Sequence, residues 1–534
     1  MGPKAARFLP ILFAAILLAT VGVITVTLES PATTSAFHAR PASGVEAEAW
    51  LLAGKQRVQQ IGGTVTAQAP VDDAPSIGAA VSEEAAVSKE AALPGGEERT
   101  LQCPVYAGPM YMPYSHPKPV ARRPIRAAAL PLRLEEQPRR LAPKMPGELK
   151  PFALDAVRLD PASRFGAAQR LNVAFLRLLD PDRLLFFFRR LAKLPQPKPD
   201  IVPYGGWESQ GSGLRGEFAG HYLHAAAAAA LSGADDLLRA RCEYMVRVLR
   251  ECQEAMEASG FGGYLSAFSD DEFRQVEDFK SRSPWVPYYV MHKLLAGLIT
   301  TYELLRCQQA LTVAVRLATH LKSRVDRVMS RGLDVWYDFI NQEVGGTSEA
   351  LADLARVTGN ETWLQLAAMF ERPCFIGALA RGGAADAIEK VHANTHLPQL
   401  LGAMARYEAT GEATLRAAAE AFWTHLSGHQ TFVTGGSTSG EVWLRAGTLG
   451  DAVAPSRAGN YWAHDQAETC VAHNSMRISR RLLQWSAVTS QARQLAHAAY
   501  QERTLYNAVL GESAGLDPVT CGMALLLACL STAN

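Results

Sequence analysis

The 534-residue chain has little of what most function classes require. Its eight cysteines are dispersed and form no CxxC pair, which excludes a cysteine-dense disulfide scaffold and leaves open only an isolated bridge. It has no excess of charge: 53 basic residues face 52 acidic ones, so nothing electrostatic favours nucleic acid as a partner. There is no GxSxG, no Walker A loop, no HExxH, and no GxGxxG following a strand. Strand-like alternation of β-branched residues is nearly absent after residue 150. A single Asn-Glu-Thr sequon, at Asn360, falls on a turn expected between helices.

What is present divides the chain into four parts. Lys4 and Arg7 precede an apolar run from Phe8 to Leu28. That run approaches the roughly 20 residues that cross a bilayer as a helix. Residues 1–30 therefore read as an uncleaved signal anchor, with a cytoplasmic N-terminus and a single pass through the membrane. The alternative is a cleaved signal peptide and a secreted product. Residues 31–150 are rich in Ala, Pro, Glu and Arg and read as a disordered linker or stalk. Residues 151–515 carry helical periods. Residues 516–534 are an apolar tail of different character.

Within 151–515 a weak repeat recurs, for example in "ALSGADDLLRARCEYMVRVL", "ARVTGNETWLQLAAMF" and "YEATGEATLRAAAEAFWTHL". Each copy ends one helix, turns through small or polar residues and starts another. Gly233, Gly359 and Gly411 stand where a helix C-cap favours glycine. Successive copies lie about 50 to 80 residues apart, which suits helical hairpins joined by loops of variable length. Stacked hairpins predict an all-α fold, either a solenoid or, if the row closes, an α/α toroid. The long loops concentrate Gly, Trp, Tyr, His and Glu, residues suited to a sugar's apolar faces and hydrogen-bonding edges.

Four groups of residues could carry chemistry. Glu441 lies in the glycine-rich "GGSTSGEVW" and reads either as a held carboxylate or as an exposed loop glutamate. Glu468 and Cys470 form E-T-C before an amphipathic helix. They read as a reactive pair, or as a helix-start carboxylate beside an inert buried thiol. His392 and His396 are spaced i, i+4 and would share one helix face, as metal ligands or as a solvated or capping pair. His221 and His292 sit at helix starts and read by default as structural.

The ordered blocks "LLDPDRLLFFFRRLAKLP", "YGGWES", "LRGEFAGHYLHA", "GYLSAF", "WVPYYVMHKLLAGL", "GGTSEALADL", "VHANTHLPQLLGAMARYEATGE", "FVTGGSTSGE" and "AETCVAHNSMRISRRLLQW" resemble glycoside hydrolase family 127, the β-L-arabinofuranosidase-like enzymes, in its plant-like branch. The resemblance spans about residues 151 to 515. It implies an (α/α)6 six-hairpin toroid followed by β-sandwich domains, and a retaining exo-glycosidase releasing terminal L-arabinofuranose from glycans or glycoproteins. It also implies Glu441 as general acid/base, Glu468 and Cys470 as zinc ligands, and Trp207, His221, His292 and His392 as substrate contacts. In the family an adjacent cysteine pair completes the zinc site and supplies the nucleophile. A zinc-held thiolate would replace the second carboxylate of a retaining glycosidase, and a thioglycosyl-enzyme would lie between the two steps. This sequence has no Cys-Cys pair. After "TLYNAVLGESAGLDP" it reads "VTCGMALLLACLSTAN", so the resemblance implies a C-terminally truncated member. Such a member lacks the β-sandwich, has an incomplete zinc site and is expected to be inactive. The alternatives are a catalytically dead carbohydrate-binding module or a helical scaffold.

Overall fold

The protein is described by a computed structural model over residues 99–105, 121–127, 149–233, 235–281, 283–341, 345–389, 391–439, 441–450, 468–486 and 490–510. The expected membrane helix at 8–28 lies outside these residues. Among the described residues no helix is long and apolar enough to cross a membrane. The signal anchor, the membrane as a partner and the single-pass localisation are accordingly corrected, because no helix among the described residues carries them.

Among the described residues the fold is all-α apart from one antiparallel ribbon. Strand β1 (Arg99–Val105) pairs with β2 (Ala121–Ala127), in the register Arg99 to Ala127 through Val105 to Ala121. The ribbon falls inside the segment read from composition as linker.

The main helices are α1 (Arg164–Leu178), α2 (Glu217–Gly233), α3 (Asp236–Ala258), α4 (Asp270–Glu277), α5 (Pro287–Leu305), α6 (Gln308–Met329), α7 (Thr347–Thr358), α8 (Thr362–Met369), α9 (Ala393–Thr410), α10 (Ala413–His425), α11 (Thr469–Ser486) and α12 (Gln491–Thr504). Local sequence sets their ends. The Asp235 side chain accepts the Leu238 backbone N–H and starts α3. Ser269 and Glu272 form a capping box on α4. Gly359 and Gly411 end α7 and α9 in the left-handed conformation, with φ of 69° and 75°. Gly233 instead stays within the last turn of α2 and keeps a negative φ.

The helices form two layers, and burial tells them apart. Along α3 the buried Leu238, Cys242, Met245, Leu249 and Cys252 recur every three or four residues and make one apolar stripe. Helix α5 is buried almost all round and so belongs inside. The inner helices lie side by side in the order α2, α5, α7, α9, α11, each backed by the helix that follows it: α3, α6, α8, α10 and α12. Helix α1 packs on α2 at one end of the row. Its Phe165 joins Ala472 and Met476 of α11 and Tyr500 of α12 in one apolar cluster at the other end.

Helices α2 and α5 approach closely. A Cβ on Gly220 would overlap the backbone of Lys293, and one on Gly297 would overlap the backbone of Gly220. Glycine at both positions lets the two backbones touch. Outside this row, Glu277 is fully buried and accepts from Tyr288 Oη at 2.7 Å, from Arg324 Nε at 2.7 Å and from Arg327. Cys374 is disulfide-bonded, whereas Cys242, Cys252, Cys307 and Cys470 are free thiols.

Candidate functional site

A cavity of about 460 Å³ opens between the inner helices, and His221, His292 and Cys470 line it together. The N-terminal turns of four inner helices supply these side chains and their neighbours. Helix α2 brings His221, α5 brings Tyr289, His292 and Lys293, α9 brings Asn394, and α11 brings Cys470, His473 and Asn474.

His292 is buried, and its Nδ1 lies 2.8 Å from the Tyr289 carbonyl, an acceptor, so Nδ1 carries the proton. Its Nε2 then keeps the lone pair. The ring lies against Gly345 and Gly346, where a Cβ at either position would crowd it. Room for this ring is one physical reason for the paired glycines of "GGTSEALADL". Burial, then Lys293, holds the His292 pKa well below the ordinary value. Burial and the charges of Lys293 and the neighbouring histidines do the same for His221. Both imidazoles are therefore neutral acceptors or ligands near pH 7. Glu217, on the same turn of α2, is buried beside Lys293, and burial raises its pKa to about 8.

Glu468 and Cys470 contact one another. The thiol is hydrogen-bonded to Glu468, and burial, reinforced by that carboxylate, pushes the thiol pKa well above its usual value. Oxygen Oε2 of Glu468 is shielded from solvent with no donor against it. An oxygen and a sulfur facing each other at a helix start are a suitable pair of zinc donors, and the undonated oxygen fits a cation. Among the described residues, however, no three His, Cys, Asp or Glu side chains are grouped closely enough to hold a metal.

Glu441 is placed by backbone rather than by burial. Its amide neighbours tie the loop to the start of α9: Ala393 N–H donates to the Glu441 carbonyl at 2.9 Å and Trp443 N–H to the Val391 carbonyl at 3.3 Å. Trp443 is fully buried and its indole N–H donates to Ser437 Oγ at 3.0 Å. Glu441 itself takes a left-handed φ of 62°, a strained conformation for a residue with a Cβ. Its carboxylate Oε2 stands 3.0 Å from His392 Nε2, and the side chain is one-third exposed. Neither residue lines the cavity, but Asn394, two positions after His392, does.

The other expected residues separate. His396 faces away from His392 as a ligand: its Nε2 accepts from Arg372 at 2.9 Å and its Nδ1 lies 2.8 Å from the His392 carbonyl. The i, i+4 pair is thus not a metal site. Trp207 is exposed and stacks on Phe218, whose ring adjoins His221.

Residues 156–531 match the family model described as β-L-arabinofuranosidase, GH127 catalytic domain. The chain belongs to this glycoside hydrolase family. Similar solved structures include a GH127 β-L-arabinofuranosidase from Geobacillus stearothermophilus T6, 17% identical, covering 66% of this chain and 55% of its own, with a TM-score of 0.43. A second, titled a GH127 β-arabinofuranosidase, is 16% identical over 68% of this chain and 58% of its own, with a TM-score of 0.46. A third, titled a glycoside hydrolase, is 16% identical over 61% and 49%, with a TM-score of 0.38. The chain thus spans about half the length of these proteins. No curated protein matches it by sequence.

Within this GH127 domain, sequence reasoning missed Tyr289, Lys293, Glu217, His473 and Asn474. A signal for the last two existed. From Cys470, polar residues recur at 473, 474, 477, 480, 481 and 484, the period of one helix face, yet the apolar positions of the same helix are buried too.

Proposed function

We propose that residues 151–515 form the catalytic domain of a plant-like GH127 glycosidase acting on terminal L-arabinofuranosides of glycans or glycoproteins, with Glu441 as general acid/base. The observation that carries this reading is the Glu441–His392 contact at 3.0 Å on a strained, backbone-tied loop. A retaining glycosidase needs a carboxyl that first gives and then takes a proton. The pair has two arrangements for that proton: His392 Nε2–H donating to the carboxylate, or the carboxylic acid donating to Nε2. One-third exposure leaves the other carboxyl oxygen open to a leaving group.

His221 and His292 would accept hydrogen bonds from sugar hydroxyls, and His392 would hold the Glu441 carboxylate. Trp207 would offer a ring to an apolar sugar face. Glu468 and Cys470 would hold zinc, which when bound keeps a coordinated thiol deprotonated and fixed. The (α/α)6 toroid is part of the same proposal, and the contacts of α1 with both ends of the inner row support it.

No adjacent cysteine pair occurs in this sequence, so we assign these residues the acid/base and two zinc donors, but not the nucleophile. The expected outcome for the full chain is weak zinc binding by calorimetry, abolished in Cys470→Ser, and no release from a chromogenic β-L-arabinofuranoside. Release that survives in Glu441→Gln would overturn the acid/base assignment. Release by the wild-type chain that is lost in that variant would keep it and overturn the missing nucleophile.

A further inference from the structure

The cavity continues beyond the residues considered so far. Helix α11 lines it for four turns, from Cys470 at one end through His473, Arg477 and Arg480 to Gln484. Arg480 lies ten residues after Cys470, about 15 Å along the helix at 1.5 Å per residue. This end is charged, and nearly every charge there is matched. Glu349 Oε1 accepts from Arg477 at 2.9 Å and from Arg481 at 2.8 Å. Glu408 accepts from Arg481 at 2.8 Å and from the Trp485 indole at 3.2 Å. Arg356 is held by Glu303 and Asp353.

Arg480 is the exception. It lines the cavity and has no hydrogen bond or ion pair with any described residue, and its Nε is sealed from solvent without an acceptor. Two further guanidinium groups flank it, with their carboxylates already shared. Burial, then the charges of Arg477 and Arg481, lower its pKa to about 10, so it remains a cation at neutral pH. A half-buried guanidinium whose Nε is sealed without an acceptor costs free energy that a ligand can recover. Its planar fork suits a carboxylate or phosphate.

We propose that this end of the cavity binds a small oxyanion, a carboxylate or phosphate group, received by the guanidinium of Arg480. This goes beyond the glycosidase reading and needs neither zinc nor Glu441. The test is calorimetry on the full chain, stripped of metal by a chelator, at constant ionic strength in chloride. Sodium phosphate and sodium glucuronate are titrated separately, with neutral L-arabinose as control.

The expected result is one site per chain for at least one of the two anions, unaffected by arabinose. Binding of phosphate identifies a free oxyanion as sufficient, and binding of glucuronate alone identifies a sugar acid. At tenfold excess over the dissociation constant the melting temperature rises by about 2 °C. Arg480→Met should weaken binding at least tenfold and melt, without anion, no lower than the wild type. Arg480→Lys should retain part of the binding. Absence of binding by the wild type, unchanged binding in Arg480→Met, or a large loss of stability in that variant without anion would each overturn the proposal.

Discussion

Two of the clusters of buried charge among the described residues are built to opposite rules. Around Glu277, three donors converge on one carboxylate, and Arg324, Arg327 and Arg331 also reach Asp270 or Asp278. Arg324 further lies over the Phe273 ring at 4.6 Å. Along α11, Glu349 serves two arginines with a single oxygen and Arg480 has no acceptor among the described residues. In the first cluster both oxygens of Glu277 are matched, although Arg324 Nη2 is buried without a partner, and it joins α4 to α6. The second is open and faces a cavity. A buried carboxylate matched by three donors holds helices together, whereas a guanidinium without an acceptor beside a void is available to something that enters.

The largest effect should come from breaking the first cluster. Glu277→Ala leaves Arg324 and Arg327 without their shared buried acceptor. It should lower the unfolding free energy by about 3–5 kcal/mol, read from urea denaturation. Glu349→Ala removes an acceptor from two arginines that still border the cavity and its water, so a smaller loss of about 1–3 kcal/mol is expected. The same variant should bind phosphate several-fold more tightly, because Arg477 loses its carboxylate and Arg481 keeps only Glu408. Equal losses in the two variants would erase the distinction drawn between the clusters.

The smallest effect concerns a third buried carboxylate, Glu208, which accepts from Gly216 N–H at 2.8 Å and Phe218 N–H at 2.9 Å. Burial raises its pKa from 4.5 to about 7 against the lowering effect of those bonds. The folded state therefore binds a proton that the unfolded state releases. The associated stability is fully present below pH 4.5 and is lost as pH rises to about 7. Glu208→Gln should flatten the fall in melting temperature across that window and leave the rest of the pH profile unchanged.

Much of the helical layout was legible because period and caps are local. The apolar stripe of α3 and the terminal Gly359 and Gly411 can be read within one turn of where they act. The pairing of His392 with Glu441 could not be read that way, because the two are 49 residues apart and joined only through the loop's backbone bonds to α9. The spacing of His392 and His396 left a metal pair and a capping pair open for the same reason. Periodicity puts both on one face but is blind to Arg372, which arrives from a different segment and occupies His396. On α11 the polar stripe was hidden by the helix being buried on nearly every side. The apolar run at 8–28 suggested a membrane helix from length alone, and no described helix has that character.

The contact of Gly220 with α5 also bears on selectivity. His221 follows that glycine directly, and Lys293, whose backbone lies over it, directly follows His292. The two imidazoles are thus mounted on a single stiff bracket with no side chain between its halves to yield. Such a bracket acts as a caliper: it measures what lies between its rings rather than adapting to it, so under the glycosidase reading proposed above a sugar of the wrong width would be refused by geometry.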